Sequence, residues 1–143
     1  MVDLNKKFAT SKTAELEGVK VEVEGAIFII RRAGGHNRAY RYAVSKYAMP
    51  YRAKFEEYKK TNDVKIAAEI EDKINLQAFA DEVIVGWEQV DSPDGQPIPF
   101  SRENFINLME TCPDVWDTVR TAAQDIDNFR EVVQKDGEAL GES

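Results

Sequence analysis

The sequence predicts an α+β fold: an N-terminal β-hairpin or small antiparallel sheet, followed by about four α-helices. Residues 19–23 alternate as half-buried strands do, residues 26–30 form a continuous apolar run, and from Tyr40 onward apolar residues recur every three or four positions, as on helices. The 143 residues suffice for one domain with its own core. We divide the chain into a flexible N-terminus at residues 1–14, a single α+β domain at residues 15–134 and a flexible tail at residues 135–143.

The predicted hairpin begins after Glu17. Val19, Val21 and Val23 alternate with charged residues, and a continuous apolar run follows at residues 26–30. Glu24-Gly25 is the predicted turn between these strands. A two-stranded hairpin alone is only marginally stable in water, so the helices, another strand or a neighbouring copy must cover it.

An aromatic helical stripe follows the hairpin. Its members recur at spacings of three and four residues and are Tyr40, Val44, Tyr47, Tyr51, Phe55 and Tyr58. Pro50 should end or kink this helix near Met49. Two interpretations remain open: the stripe packs on the hairpin, or it binds another protein, since Tyr and Arg are enriched at interface hot spots. For the second we select Tyr47, Tyr51 and Phe55 as candidate contacts.

Two further long helices are predicted. One runs from Asp63, a capping residue, to about Val85, with Gly86 marking its end. After a short helix ending near Thr111, the last begins at Pro113, a favoured first helical residue. Its apolar seam is Val115, Val119, Ala122, Ile126, Phe129 and Val133.

Between these helices, residues 86–105 form a turn-rich loop and a helix start. Ser101 is the predicted N-cap, and Phe100 and Phe105 have the spacing of a hydrophobic staple. Asn104 stands where a capping box carries Glu or Gln, so the box is incomplete. We expect the staple to fix the loop against Trp87, and we include Trp87, Phe100 and Phe105 among the candidate protein-binding residues.

This loop resembles the tail assembly chaperones of long-tailed bacteriophages. The matching residues are Trp87, Asp94, Gly95, Pro97, Pro99, Phe100, Ser101, Glu103 and Asn104. The resemblance extends more loosely to Pro113 and to residues 128–130. It covers roughly a third of the chain, and any α-helical protein can use a stapled loop of this kind between two helices.

The resemblance implies a phage assembly factor that is absent from the mature virion. Proteins of that family coat the long helical tape measure protein and recruit tail tube subunits to it, so both are expected partners. The alternative is a structural virion protein, such as a head–tail connector or tail-terminator subunit. A third class is a small cytoplasmic adaptor or inhibitor unrelated to phage.

Charge is distributed unevenly along the chain. Residues 1–60 carry 13 basic and 7 acidic residues, a net +6, whereas residues 61–143 carry 6 and 19, a net −13. Each half can simply be solvated separately, or the basic end of one copy can meet the acidic end of the next, with Arg31 and Arg32 as candidate contacts. We therefore expect self-association into oligomers. A nucleic-acid partner is disfavoured because the acidic half would repel phosphates.

The sequence gives little support for catalysis. His36 is the only histidine and Cys112 the only cysteine, and no phosphate-binding glycine motif occurs. We predict no enzyme activity, no catalytic residue, no metal and no cofactor. The single cysteine fits a reducing compartment, so we expect the host cytoplasm. No apolar run approaches the ~20 residues that span a bilayer, and no secretion signal is apparent, so no membrane partner is predicted.

Overall fold

A computed structural model describes residues 1–130, and the predicted flexible tail at residues 135–143 lies outside this part. The described residues form a three-stranded antiparallel sheet and seven α-helices, which confirms the α+β fold class. The helices are α1 (Leu4–Phe8), α2 (Lys12–Glu17), α3 (Arg38–Ala48), α4 (Arg52–Thr61), α5 (Val64–Glu82), α6 (Arg102–Thr111) and α7 (Pro113–Gln124). The strands are β1 (Val19–Val23), β2 (Ala26–Ile30) and β3 (Ile84–Glu88), and 3₁₀ turns occupy Met49–Tyr51 and Ile126–Phe129.

The predicted hairpin is present. β1 and β2 pair antiparallel, with Val23 opposite Ala26, so two residues connect them. Glu24 and Gly25 both have positive φ, 51° and 89°, as a twisted two-residue hairpin turn requires. The sheet order is β1-β2-β3, so a third strand supplies one of the covers that the hairpin needs.

The third strand corrects the predicted helix from Asp63 to Val85. α5 ends at Glu82, and Gly86 lies inside β3 opposite Ile29 rather than at a helix end. Helical spacing joins Val83 to Trp87, but Trp87 is a strand residue paired with Phe28. Its burial comes from the sheet, a contact that local periodicity does not reveal.

The core lies between the sheet and helices α5, α6 and α7. Its fully buried large side chains include Phe28, Ile30, Phe79, Phe105 and Phe129. Phe79 lies edge-on to Trp116 with ring centroids 4.9 Å apart. The core therefore joins residues from both charged halves of the chain.

The start of α6 follows the predicted capping, but the staple is built differently. The Ser101 hydroxyl accepts the amide of Asn104 at 3.0 Å, which confirms the N-cap, and Asn104 Nδ2 donates to Pro99 O at 2.9 Å. The Phe100 ring packs on Trp87 at 5.2 Å, whereas Phe105 pairs with Trp116 at 6.4 Å. No aromatic pair within residues 1–130 joins the two phenylalanines.

Trp87 holds the C-terminal end of the loop. Its ring contacts Phe100, and its Nε1 donates to Ile98 O at 2.8 Å. Ile98 N in turn donates to Val90 O at 2.8 Å, which brings the loop back beside the end of β3. The loop is therefore anchored by Trp87, a role that the sequence assigned to contact between Phe100 and Phe105.

Two helices end for local reasons, one at Pro50 and one at Asp125. Pro50 lies in the 3₁₀ turn between α3 and α4, as predicted. The last helix ends at Gln124 and does not continue towards Val133, because Asp125 is extended and its carboxylate caps the next turn by accepting Asp127 N at 2.9 Å. Val133 itself lies outside the described residues.

The predicted flexible segment at residues 1–14 contains α1 and the start of α2. Ser11 and Ala14 are buried, and Ser11 N donates to Phe129 O at 2.8 Å. Thr10 forms an antiparallel bridge with Arg130. Residues 10 and 11 of the segment predicted to be flexible therefore contact residues 129 and 130.

A buried carboxylate fixes α2 to the end of the hairpin. The side chain of Glu15 is fully buried and pairs with Arg32 Nη1 at 3.2 Å. The Thr10 hydroxyl donates to it, as does the backbone amide of His36 at 3.0 Å, and His36 Nδ1 lies 3.0 Å away. Gly35 has a φ of +53°, and a Cβ there would collide with the Glu15 carboxylate, so the cluster requires glycine at this position.

Burial alone would raise the pKa of Glu15, but its partners outweigh that effect. The hydrogen bonds from Thr10 and His36, together with the positive charge of Arg32, hold the pKa of Glu15 below its ordinary value of 4.5. A carboxyl with a lowered pKa in the folded state stabilises the fold above its unfolded-state pKa and loses that contribution as the pH falls.

We predict that Glu15→Gln lowers the free energy of unfolding at neutral pH and flattens its decline in acid. The wild type should lose stability as the pH falls below about 4.5 and through the lower folded-state pKa, because Glu15 must then take up a proton. Urea unfolding between pH 7 and pH 3 measures both slopes. Equal slopes for wild type and variant would contradict the role of the Glu15 charge.

A second prediction compares the two phenylalanines of the loop and α6. Phe105 is fully buried, so Phe105→Ala should cost about 3–5 kcal/mol of unfolding free energy. Phe100 is half-buried against Trp87, so Phe100→Ala should cost less, because its ring leaves a smaller cavity. Denaturant titrations of both variants test this order, and a greater loss for Phe100→Ala would reverse our assignment of their roles.

Candidate protein-binding surface

Helix α4 is the least buried long element of the described chain. It contains no buried residue, although it carries the aromatic residues Phe55 and Tyr58, and Tyr51 immediately precedes it. All three are half-buried. An amphipathic helix in a folded domain normally buries its apolar face, so this face is available for a further contact.

The chain reverses tightly between α4 and α5. Asn62 adopts the left-handed conformation with φ 58°, and its amide donates to Tyr58 O at 2.6 Å, which ends α4. Asp63 then caps α5, because its carboxylate accepts the amide of Ile66 at 3.3 Å. This αα-hairpin sets α4 beside the first turns of α5.

A groove of about 320 Å³ lies between these two helices. Its lining residues are Tyr51, Lys54, Glu57, Tyr58, Thr61, Ile66, Glu69, Ile70 and Lys73. We call this the α4–α5 groove. Tyr58, Ile66 and Ile70 supply apolar surface, and two lysines and two glutamates supply charges of both signs. Such a groove suits an amphipathic helix whose apolar face lies inside and whose polar edges meet the charges.

The exposed apolar residues of the first turn of α5 extend the groove. Val64 is 66% exposed and Ile66 is 40% exposed, whereas Ile70, one turn further, is 5% exposed. Neither Ile66 nor Ile70 was among the candidate contacts selected from the sequence, and Tyr58 was indicated only as part of the aromatic stripe. One sequence signal could have marked Ile66 as exposed. It lies in the first turn of a long predicted helix, three residues after the capping residue Asp63.

Tyr47, a candidate contact, belongs to a polar cluster inside the domain. Its hydroxyl donates to Asp81, and Arg102 Nε donates to the same carboxylate at 2.6 Å. Arg102 also donates to Tyr47 at 3.2 Å and to Gln77. The cluster joins α3, α5 and the start of α6, so Tyr47 is tied to the fold rather than presented to a partner.

The charge of the cluster is held by these hydrogen bonds. Burial raises the pKa of the Asp81 carboxyl, but the hydrogen bonds from Arg102 and Tyr47 outweigh it, and the pKa of Asp81 lies below its ordinary value. The hydrogen bond that Arg102 donates to the Asp81 carboxylate raises the pKa of Arg102. Asp81 and Arg102 are therefore ionised together at neutral pH.

The two candidate arginines also face inward in part. Arg32 is the partner of buried Glu15, so it is not free for a second copy of the chain. Arg31 is half-buried, and its Nε is buried without a hydrogen-bond partner among the described residues. A charge reversal at Arg32 would disrupt the Glu15 cluster, and we therefore remove Arg32 from the candidate contacts.

The candidates from the loop are structural residues as well. Phe105 is fully buried, Trp87 is 9% exposed, and Phe100 is half-buried on the Trp87 ring. They are buried because the sheet and α7 pack against them, and the sequence pattern did not predict that these elements lie next to the loop. Of the residues selected from the sequence, Tyr51 and Phe55 remain on the α4 surface, and only Tyr51 lines the groove.

Other kinds of site were sought among residues 1–130. No group of three or more His, Cys, Asp and Glu side chains there could hold a metal ion. No helix in this range has the length and apolar character needed to cross a membrane.

One comparison with known proteins gives a match. A family model described as "YdaY prophage protein" matches residues 35–139. The matched range includes helices α3–α7, β3 and the α4–α5 groove, and it begins after β1 and β2. No curated protein and no solved structure matches the chain.

The internal role of Tyr47 gives a prediction. Tyr47→Phe removes the hydroxyl that donates to Asp81 and should lower the free energy of unfolding by about 1–2 kcal/mol. Tyr42→Phe is the matched control, because Tyr42 lies on the same helix and is 75% exposed, so its hydroxyl should contribute little. Thermal and urea unfolding measure both. Equal stability of the two variants would show that Tyr47 is not part of a stabilising cluster.

Proposed function

The chain belongs to the YdaY prophage protein family, and on that premise we propose that it is a phage tail assembly chaperone. In this role it binds an amphipathic helix of the tape measure protein in the α4–α5 groove and recruits tail tube subunits to it. The observation that carries the proposal is the groove's exposed apolar lining: Tyr51 and Tyr58 are half-buried, Ile66 is exposed, and α4 has no buried residue.

The chemistry of a tape measure protein matches this groove. A long helix with an apolar face aggregates in water until the tail tube surrounds it, so a chaperone must cover that face temporarily. Tyr51 and Tyr58 offer large contact areas at low cost in side-chain entropy. Lys54 and Glu57 can pair with charges at the edges of the bound helix.

The small size of the groove suits reversible binding. About 320 Å³ accommodates a few side chains of a helix, not a whole helix, so each copy covers a short segment. Many copies along the helix would then protect it, and each could be displaced by tube subunits. The proposed role is binding without catalysis, in the host cytoplasm, with the chaperone absent from the finished virion.

A structural virion subunit is the second candidate, and the sheet supports it. β1 and β3 are the two edges of the three-stranded sheet within the described residues, and sheet edges can pair between subunits of a ring. Mass spectrometry of purified virions separates the candidates. A chaperone should be absent from them, whereas a connector or terminator subunit should be present in stoichiometric amounts.

We predict that Tyr51→Ala combined with Tyr58→Ala weakens binding of tape measure peptides at least about tenfold while the fold is retained. Overlapping helical peptides from the tape measure protein of the same prophage serve as probes in fluorescence anisotropy. The matched control is Tyr42→Ala, which removes an exposed tyrosine outside the groove and should leave affinity unchanged.

The same experiment can contradict the proposal. If none of the peptides binds the wild type, or if Tyr42→Ala weakens binding as much as the double variant, the groove is not the tape measure site. Circular dichroism of the double variant shows whether α4 still folds. Phe55→Ala is a second variant on the same helix, and it should have a smaller effect because Phe55 does not line the groove.

A further inference from the structure

The first residues of the chain expose apolar side chains that nothing in the described domain covers. Val2, Leu4 and Phe8 are 62%, 63% and 61% exposed. Leu4 and Phe8 are four residues apart on α1, so they share one face of that helix. We call residues 2–8 the arm.

The arm is short but held in place. Asp3 caps α1 by accepting Lys6 N at 3.0 Å, and Arg130 Nη1 donates to Lys7 O at 2.6 Å. A helix of five residues is not stable in water by itself, so it depends on such contacts. Its apolar face, which includes Leu4 and Phe8, is exposed among the described residues.

A second groove of about 580 Å³ lies on a different part of the molecule, between the 91–98 loop and α6, and Asp91 is the charged residue of its lining. Ile98, Leu108 and Cys112 give it apolar surface, and Asp91 and Asn107 lie at exposed positions in its lining. We call this the loop–α6 groove. It shares no lining residue with the α4–α5 groove.

The two surfaces belong to segments of opposite charge. The arm carries Lys6 and Lys7 against Asp3, a net +1. Residues 91–114 carry five acidic residues and one arginine, a net −4. The acidic residues are Asp91, Asp94, Glu103, Glu110 and Asp114, and none of them forms an ion pair within residues 1–130.

We propose that the arm of one copy docks in the loop–α6 groove of the next copy. Leu4 and Phe8 contact Ile98 and Leu108, and Lys6 and Lys7 of the arm meet Asp91 and the negative charge of the 91–114 segment. The arm is exposed in the structure, so it is not seated in the groove of its own chain. Because the two surfaces differ, the contact is head-to-tail and builds a ring or an open chain of subunits.

This contact gives the uneven charge of the sequence a specific role. The basic surface that matters is the arm rather than Arg31 and Arg32, and the acidic surface is the loop–α6 groove rather than the whole second half. The inference is independent of the proposed tape measure site, because that site uses the α4–α5 groove.

The test uses two variants of the full chain that each lose one surface. Leu4→Asp with Phe8→Asp removes the apolar face of the arm, and Asp91→Lys with Asn107→Lys reverses the charge of the groove. All four positions are exposed, so both variants should keep the wild-type melting curve. Analytical ultracentrifugation should show concentration-dependent assembly of the wild type, weaker at high salt because the charges are screened.

Each variant alone should be monomeric, and a mixture should form a 1:1 dimer and nothing larger. The arm variant keeps an intact groove and the groove variant keeps an intact arm, so only one contact can form between them. The control variant Tyr51→Ala with Tyr58→Ala should assemble like the wild type, so failure of the tape measure site and failure of this contact are distinguishable.

Three results would overturn the proposal. They are a wild type that stays monomeric at high concentration, an arm variant that assembles normally, and a mixture that gives no dimer. Binding of the arm to anionic lipid vesicles without self-association would assign it to a membrane surface instead, and it would equally overturn docking between copies.

Discussion

The rest of the structure depends on the packing of the buried Phe79 ring against two other aromatic rings. Its ring lies edge-on between Tyr40 of α3 and Trp116 of α7, with ring centroids 5.6 Å and 4.9 Å away. These edge-to-face contacts fix α5 against two helices that are distant in sequence. β3 follows α5 directly, so the position of Phe79 also sets where Trp87 enters the sheet.

The same helix explains the candidate binding surface. The second half of α5 is enclosed by α3, α6, α7 and the sheet, and Ala78 and Phe79 are fully buried. The first turns lie beside α4, and Ile66 there is 40% exposed, although Ala67 and Ile70 are buried. The α4–α5 groove forms at this end because α4 covers the apolar face of α5 only in part.

Polar clusters surround the core and decide which candidates remain available. The Glu15 cluster uses Arg32, and the Asp81 cluster uses Tyr47 and Arg102. Removing Arg32 would leave the buried Glu15 carboxylate without its ion-pair partner, whereas the Asp81–Arg102 pair is partly exposed. The arm and both grooves lie outside these clusters, so the proposed contacts use none of their side chains.

Local features of this protein were readable from the sequence alone. The hairpin turn at Glu24-Gly25, the caps at Asp63 and Ser101 and the break at Pro50 all depend on residues close together in the chain, and the structure confirms each of them. The α+β fold class followed from the same local patterns of periodicity.

Contacts between distant residues were decided only by the tertiary structure. β3 escaped prediction because Trp87 continues a helical repeat, although its pairing with Phe28 places it in the sheet. Phe105 and Arg32 were candidates for a surface, yet α7 covers the first and Glu15 neutralises the second. Periodicity shows that a side chain has an apolar or charged neighbour on its own element, but which side chains are left exposed depends on how the elements pack.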